Sequence, residues 1–216
     1  MTAATAGIGA ELLGRTVVVV GGTSGIGLAT AQLAARVGAR VCIIGRDATR
    51  LSQIREQQPQ WTILQADLRS DAEVTAAFAQ LVTVDHLFIS AGTVAATPVL
   101  ESDFEALRAP FEERVFGVLR VVRAAAPKMT SGSITFTSGD LVDRPVAGLS
   151  AVVAAASATE ALARTLALEL APIRFNTISP GSIDTPLHDK LFGRERDAAL
   201  AAQAARLPGK RVGRKL

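Results

Sequence analysis

A glycine-rich run is the first group of residues in this chain with a chemistry of its own. Gly21, Gly25 and Gly27 have the spacing G-x-x-x-G-x-G and directly follow the apolar run 16–20. A turn of this kind between a strand and a helix leaves backbone N–H groups and a helix N-terminus free to bind phosphate. We therefore predict a site for the diphosphate of a dinucleotide, with a helix that begins near Ile26.

The elements that would position this turn alternate along the chain. Six short apolar or β-branched runs predict strands, and the stretches between them, such as 29–37 and 72–81, have helical periodicity. The predicted strands are 16–20, 40–44, 61–64, 86–90, 133–137 and 173–178. Helical crossovers force parallel pairing, so we predict an α/β fold of the Rossmann type: one doubly wound parallel sheet in a single domain over residues 1–216. Near-continuous apolarity of the strands agrees with helices on both faces.

Composition argues against several function classes. The chain has 216 residues, 49% of them hydrophobic, and its formal net charge is only +3, so we expect no nucleic-acid partner. The single cysteine, Cys42, lies in an apolar run and should pack as a small hydrophobe. We find no leader or membrane-spanning pattern and expect a cytoplasmic protein. The two histidines are far apart with no cysteine nearby, so we expect no metal site.

Further motifs follow the later strands in a fixed order. They are Asp67-Leu68, Ala91-Gly92, Ser138, Asn176, Pro180-Gly181 and Thr185. Together with the glycine run, this order resembles the classical short-chain dehydrogenases/reductases over residues 14 to 213. The resemblance implies a nicotinamide cofactor and hydride transfer to a small-molecule substrate.

The resemblance also implies which residues bind the cofactor. Asp67 and Leu68 would border the adenine, and Ala91 and Gly92 would form the floor. The other implied contacts are Gly21, Thr23, Ser24, Gly25, Ile26 and Gly27 in the turn, and Pro180, Gly181, Ile183 and Thr185 at the nicotinamide end.

The chain after the second predicted strand favours NADP(H). Gly45 occupies the place where an NAD-selective member would have a carboxylate, and Arg46 can face a 2′-phosphate. Two alternatives stay open. Arg46 could be a surface residue that pairs with Asp47 or Glu56, and Asp47 keeps NAD(H) as a second cofactor.

The catalytic residues that the family uses are largely missing. There a serine positions the substrate oxygen, a tyrosine transfers the proton, a lysine lowers the tyrosine pKa and an asparagine anchors a water relay. Only the serine has a match, Ser138. The tyrosine and lysine positions are Val152 and Ala156, and Arg114 stands at the asparagine position. The chain contains no tyrosine, and no lysine lies between residues 129 and 189.

Three interpretations of this site remain. The first is an altered oxidoreductase acting on a small carbonyl, quinone, iminium or enone-type substrate, in which Arg114 supplies the lost cation. Its substitute proton donors would be His188, Asp140 or Asp143, although His188 could instead be a solvated side chain and Ser138 a strand-end hydroxyl bonded to backbone. The second is an inactive NADP(H)-binding module or regulator, and the third is dehydration or isomerisation in the same pocket.

The predicted helix over 150–170 is small or apolar on nearly all faces. One face must meet the sheet, and we expect the rest to pack, with the helix over 111–126, in a homodimer. The alternative is an Ala-rich helix on a monomer surface. The resemblance implies one more strand after 210–214, yet the chain stops at Leu216. We therefore expect the sixth strand at an edge that the tail or association covers, a flexible segment over 1–14, and a substrate lid and tail over 187–216.

Overall fold

The computed structural model describes residues 11–214, apart from the side chains of Lys190 and Arg214. The strands are β1 (Thr16–Val20), β2 (Arg40–Gly45), β3 (Thr62–Gln65), β4 (His86–Ile89), β5 (Ser133–Thr137), β6 (Arg174–Ile178), β7 (Ile183–Asp184) and β8 (Gly213–Arg214). The helices are α1 (Gly25–Arg36), α2 (Ala48–Gln57), α3 (Asp71–Ala79), α4 (Phe104–Phe111), α5 (Gly117–Ala125), α6 (Ser150–Glu169), α7 (Pro186–Phe192) and α8 (Arg196–Arg206).

Six of these strands form one parallel sheet in the order β3-β2-β1-β4-β5-β6. This confirms the predicted doubly wound fold. The strand order reverses between β1 and β4, and in such sheets a crevice opens beyond the carboxyl ends of the strands at that point. The glycine run lies directly after β1 and therefore at this crevice.

The core has one layer on each face of the sheet. Val18 and Val20 of β1 face one layer, which includes Phe78 and Phe136, whereas Val19 faces the other. Cys42 is buried in the first layer, and burial raises its thiol pKa to about 12, so it packs as predicted. Burying each large side chain contributes about 1.5–3 kcal/mol.

The outer strand β6 departs from the predicted apolarity. Its sequence RFNTI alternates between exposed and half-buried residues, because β5 is its only partner in the sheet. The tail does not cover this edge. Instead, Gly213 and Arg214 pair with β7, beside the Pro180-Gly181 motif.

The helix predicted over 111–126 begins earlier and contains an irregular segment. It starts at Phe104, where the carboxylate of Asp103 accepts a hydrogen bond from the Ala106 N–H at 2.7 Å. Residues Glu112–Phe116 form a π-helix, in which the Gly117 N–H bonds the Glu112 carbonyl five residues back. The Thr159 hydroxyl of α6 donates to the Arg114 carbonyl at 3.0 Å and holds this segment against α6.

The described part of the N-terminal segment and the long apolar helix α6 are both held by contacts with the rest of the protein. The flexible segment predicted over 1–14 lies mostly outside the described residues, but Gly14 N–H bonds the Gly38 carbonyl and Leu12 packs on the core. By length and composition, α6 is the one helix among residues 11–214 that could cross a membrane. Here it packs on the sheet with Ala155 and Leu166 buried.

Candidate functional site

The backbone of the glycine turn, which follows β1, packs directly against the backbone of the segment that follows β4. Gly21 has φ +84°, and a Cβ there would lie 2.6 Å from the Ala91 nitrogen. A Cβ on Gly27 would lie 2.4 Å from the Gly21 carbonyl oxygen. Gly25 begins α1 with φ +56°, and a Cβ there would lie 3.4 Å from the Thr185 side chain. Only glycine fits this packing, and it leaves a bare backbone cradle at a helix N-terminus.

A cavity of about 430 Å³ begins at this turn and runs along the carboxyl ends of the central strands. It brings together most of the residues that the sequence predicted, from five separate segments. The predicted lining residues are Gly21, Ser24, Gly25, Ile26, Gly27, Gly92, Arg114, Ser138, Asp140, Pro180, Gly181, Ile183, Thr185 and His188. Val152 and Ala156 also line it, so the family's tyrosine and lysine positions present only apolar side chains to the cavity.

Arg114 is a buried cation in the wall of this cavity. It is 8% exposed, and its Nε is buried with no hydrogen-bond partner. The guanidinium lies over Gly92, where a Cβ would be 2.8 Å from Cζ. Burial lowers the Arg114 pKa, opposed by the charge of Glu113, but a guanidinium stays protonated in proteins.

Glu113, the neighbour of Arg114 in the chain, is occupied elsewhere. Its carboxylate accepts from the Thr93 N–H at 2.7 Å and pairs with Arg46 at 3.3 Å. Among residues 11–214, no carboxylate forms a salt bridge with Arg114. Leaving a charge buried and unpaired is costly, so the site is prepared for an anion or a polarised oxygen.

His188 is also buried in the cavity wall. It is 7% exposed, its Nδ1 has no hydrogen-bond partner, and its ring stacks on Phe192 at a centroid distance of 5.9 Å. The alternative of a solvated side chain is therefore wrong. The position follows from α7, which begins at Pro186 and turns His188 inward one turn after Thr185.

Asp140 lines the cavity beside Gly181. Its Oδ2 would be 3.5 Å from a Cβ on Gly181, and its backbone N–H bonds the Pro180 carbonyl. No described residue donates a hydrogen bond to its carboxylate. Asp143 lies outside this cavity, in a groove with Glu160 and Thr177.

Ser138 lines the cavity, but its hydroxyl has another partner. It donates to the Glu160 carboxylate of α6 at 2.6 Å, so the alternative of a hydroxyl bonded to backbone is wrong. Glu160 belongs to the separate groove with Asp143. The next residue, Gly139, also lines the cavity, and a Cβ there would meet no atom within 4 Å.

At the adenosine end Arg46 is half-exposed, as in the surface alternative, but its partner differs from the two that were expected. Arg46 pairs with Glu113, whereas Asp47 caps α2 by accepting the Arg50 N–H at 3.1 Å. Pairing of Arg46 with Asp47 or Glu56 is therefore wrong. A Cβ on Gly45 would be 2.7 Å from Cγ2 of Thr23, so Thr23 occupies the space that a carboxylate at position 45 would need.

Four other predicted cofactor residues lie outside the cavity wall. Asp67 pairs with Arg69 at 2.6 Å, and the hydrogen bond from Arg69 lowers the Asp67 pKa. Leu68 is buried against Gly117, and Ala91 contacts the turn through Gly21. Arg46 is half-exposed beyond the cavity rim.

Sequence reasoning missed several polar residues of the cavity, among them Arg50, Thr137 and Gln203. The only sequence signal for Arg50 was its position three residues after Asp47, which is the spacing of an ion pair on a helix. Thr137 and Gln203 each have a buried side-chain oxygen with no partner. Gln203 comes from α8, which Arg196 connects to the site by salt bridges to Asp184 and to Asp189 (2.7 Å). No sequence pattern predicted that Gln203, in the segment predicted as a substrate lid, would line the cavity.

These residues fit a dinucleotide, because a glycine turn that packs too closely for side chains at Gly21 and Gly27 leads into the N-terminus of α1 at one end of the cavity. Among residues 11–214, no group of three or more His, Cys, Asp or Glu side chains could hold a metal ion. The arrangement offers a phosphate site at one end and a buried cation, an imidazole and a carboxylate at the other.

Comparisons with known proteins agree with this geometry. The family model described as short chain dehydrogenase matches residues 15–196. The chain is 32% identical to the short-chain dehydrogenase/reductase ucsE of Acremonium sp over 88% of this chain and 80% of that protein. It is 33% identical to ATR9 of Stachybotrys chlorohalonatus, over 89% and 81%. The solved structure of MalC reductase/Diels-Alderase from Malbranchea aurantiaca superposes with a TM-score of 0.86 at 27% identity, over 94% of this chain and 86% of that one.

Proposed function

The chain belongs to the short-chain dehydrogenase family, and on that premise we propose that it transfers hydride between NADP(H) and a small carbonyl, quinone, iminium or enone-type substrate. The observation that supports this proposal is the single cavity that connects the bare glycine turn to Arg114 and His188. MalC, a reductase/Diels-Alderase that is 27% identical to this chain, supports a reductive activity on this fold.

The residues at the turn hold and orient the cofactor. Backbone N–H groups from Gly25 to Gly27 and the α1 N-terminus bind the diphosphate. Pro180, Gly181, Ile183 and Thr185 border the nicotinamide end. When bound, the reduced nicotinamide supplies a hydride. The apolar side chains of Val152 and Ala156 exclude water from the space above it.

The chain provides the proton in a way that differs from its relatives. A positioned acid contributes typically 10²–10⁴ in rate, and neither Val152 nor Ala156 can act as one. We therefore favour substrates that stabilise their own negative charge. Arg114 provides the positive charge, and His188, whose Nδ1 is free, and Asp140 are the candidate proton donors. Ser138 contributes only if its hydroxyl leaves Glu160.

NADP(H) is the preferred cofactor in this proposal. Thr23 fills the space at position 45, so no carboxylate there repels a 2′-phosphate. Arg46 and Arg50 supply positive charge at this end, although each also pairs with a carboxylate. NAD(H) remains the second cofactor to be tested.

We further propose a cytoplasmic homodimer that binds a small molecule and neither nucleic acid nor membrane. The contacts would run through α6 and the helix from Phe104 to Ala125. Both present exposed apolar side chains, among them Phe104, Phe116 and Leu168.

Calorimetry and absorbance together test the function. We expect NADPH to bind at micromolar to millimolar concentration and its nicotinamide absorbance to fall when a quinone, an activated enone or an iminium ion is added. The matched control is Gly25→Ala, which obstructs the cradle. Binding without oxidation of NADPH by any of the three classes would instead indicate a non-catalytic module, and absence of heat with either coenzyme would contradict the proposal altogether.

A further inference from the structure

Arg114 presents a charge without a counter-charge to the substrate end of the cavity. Its 8% exposure keeps water away, its Nε has no partner, and the nearest acid in sequence, Glu113, is bonded to Thr93 and Arg46. Thr159 fixes the backbone of this residue by its bond to the Arg114 carbonyl. The backbone that carries the guanidinium is therefore held against α6 at this position.

The other charged groups of the cavity do not cancel this charge. The charged or titratable side chains that line it are Arg50, Arg114, Asp140 and His188. Arg50 lies at the glycine turn and pairs with Asp47 at 3.5 Å. Asp140 is more exposed than Arg114, so water screens its charge more strongly. His188 has no bond to either of them.

We propose that Arg114 is an oxyanion site that selects substrates whose oxygen becomes negative on reduction, namely quinones and conjugated enones, over iminium ions. This inference deepens the proposed function and rests on it. An unpaired cation stabilises an oxyanion in a site with little water and repels a cationic substrate. A guanidinium also carries several N–H donors, two of which can converge on the single oxygen of a phenolate or enolate.

The reaction balances without an acid at the moment of hydride transfer. In a conjugated enone the β-carbon accepts the hydride that NADPH supplies, and the π electrons shift so that the carbonyl oxygen becomes negative. In a quinone one oxygen accepts the hydride, the ring becomes aromatic, and the other oxygen takes the electron pair. The product is a phenolate or enolate beside Arg114, and a proton from water neutralises it afterwards. The missing tyrosine matters little for such a substrate, because a phenolate or enolate is a much weaker base than a simple alkoxide.

A chromophoric phenol tests the site without turnover. We would titrate 4-nitrophenol, whose anion absorbs in the visible, with the protein alone and with the protein saturated by NADP⁺. An apolar cavity raises the pKa of a bound phenol, whereas a cavity with an unpaired cation lowers it. We expect the bound phenol to have a lowered pKa, which corresponds to about tenfold tighter binding of phenolate than of phenol. Neutral 4-nitroanisole should bind without that preference.

Variants locate the effect. Arg114→Gln should abolish the shift and Arg114→Lys should retain part of it, while His188→Gln should leave it in place. A raised or unchanged phenol pKa in the wild-type protein, no binding of the phenolate at millimolar concentration, or a shift that follows His188 rather than Arg114 would each overturn the inference. Failure of NADP⁺ to bind would overturn the proposed function separately, because the titration of the protein alone still reports on Arg114.

Discussion

At the scale of single residues, two arginines at the adenosine end differ in where their charge is directed. Arg46 reaches over to Glu113, whereas Arg50 lies in the cavity wall near Ser24 and keeps only a 3.5 Å contact with Asp47. A 2′-phosphate would compete with Asp47, which is half-exposed, and with Glu113, whose side chain is only 14% exposed. Charge-assisted bonds to phosphate are stronger than an exposed ion pair such as that of Arg50 with Asp47.

We predict that Arg46→Gln and Arg50→Gln each weaken NADPH binding about tenfold and leave NADH binding nearly unchanged. Isothermal calorimetry with both coenzymes measures this. Arg36→Gln, at the exposed far end of α1, is the matched control and should change neither affinity. Equal losses for NADPH and NADH would place the arginines at the diphosphate instead.

The same residues show what a sequence can say about a site. Gly21 and Gly25 were predictable because a bare turn after a strand is a local requirement of φ and of space. The partner of Ser138 was not, because Glu160 reaches it only after α6 packs on the sheet. Whether His188 was solvated or buried depended on how α7 folds over the mouth, and the sequence pattern left both open.

At the scale of elements, the start of α1 is where binding and backbone strain can be separated. Gly25 and Gly14 both have positive φ, +56° and +70°, but only Gly25 lies at the cavity. A Cβ on Gly14 would meet nothing within 4 Å. Alanine at either position therefore carries a similar strain of about 1–2 kcal/mol.

We predict that Gly25→Ala and Gly14→Ala lower the melting temperature by similar amounts, whereas only Gly25→Ala weakens coenzyme binding, by tenfold or more, because it alters the φ of a residue that lines the cavity and adds a Cβ 3.4 Å from Thr185. Thermal unfolding with and without coenzyme measures both effects. If Gly14→Ala weakened binding equally, the loss would come from general destabilisation and the glycine turn would not be the cradle.

The elements were predictable to the extent that burial alone defines them. β1 and β5 match the predicted strands residue for residue, since β1 buries four consecutive valines and β5 alternates the buried Ile134 and Phe136 with half-buried serine and threonine residues. The helix from Phe104 was placed seven residues late, because Asp103 caps it with a side chain and the π-helix after Phe111 depends on contact with α6. The contact between the π-helix and α6 is tertiary, and it leaves no periodicity in the sequence.

At the scale of the whole molecule, two helical regions have exposed apolar side chains. Phe104 is 74% and Phe116 52% exposed, and both line a groove of about 420 Å³ between α4, the π-helix and the start of α6, together with Leu107 and Phe111. Leu168, at the far end of α6, is 84% exposed. Facing copies related by a two-fold axis would bury these side chains in an isologous contact.

We predict a dimer by sedimentation, and a shift to monomer in Phe116→Arg and in Leu168→Arg, because a charge placed in an apolar contact between copies would remain without a partner. Leu100→Arg is the matched control: this leucine is 98% exposed but lies outside the groove, so the dimer should persist. Coenzyme binding should survive in all three variants, since none of these residues lines the cavity. A wild-type monomer, or a dimer unaffected by both substitutions, would mean that the exposed helices belong to an ordinary surface.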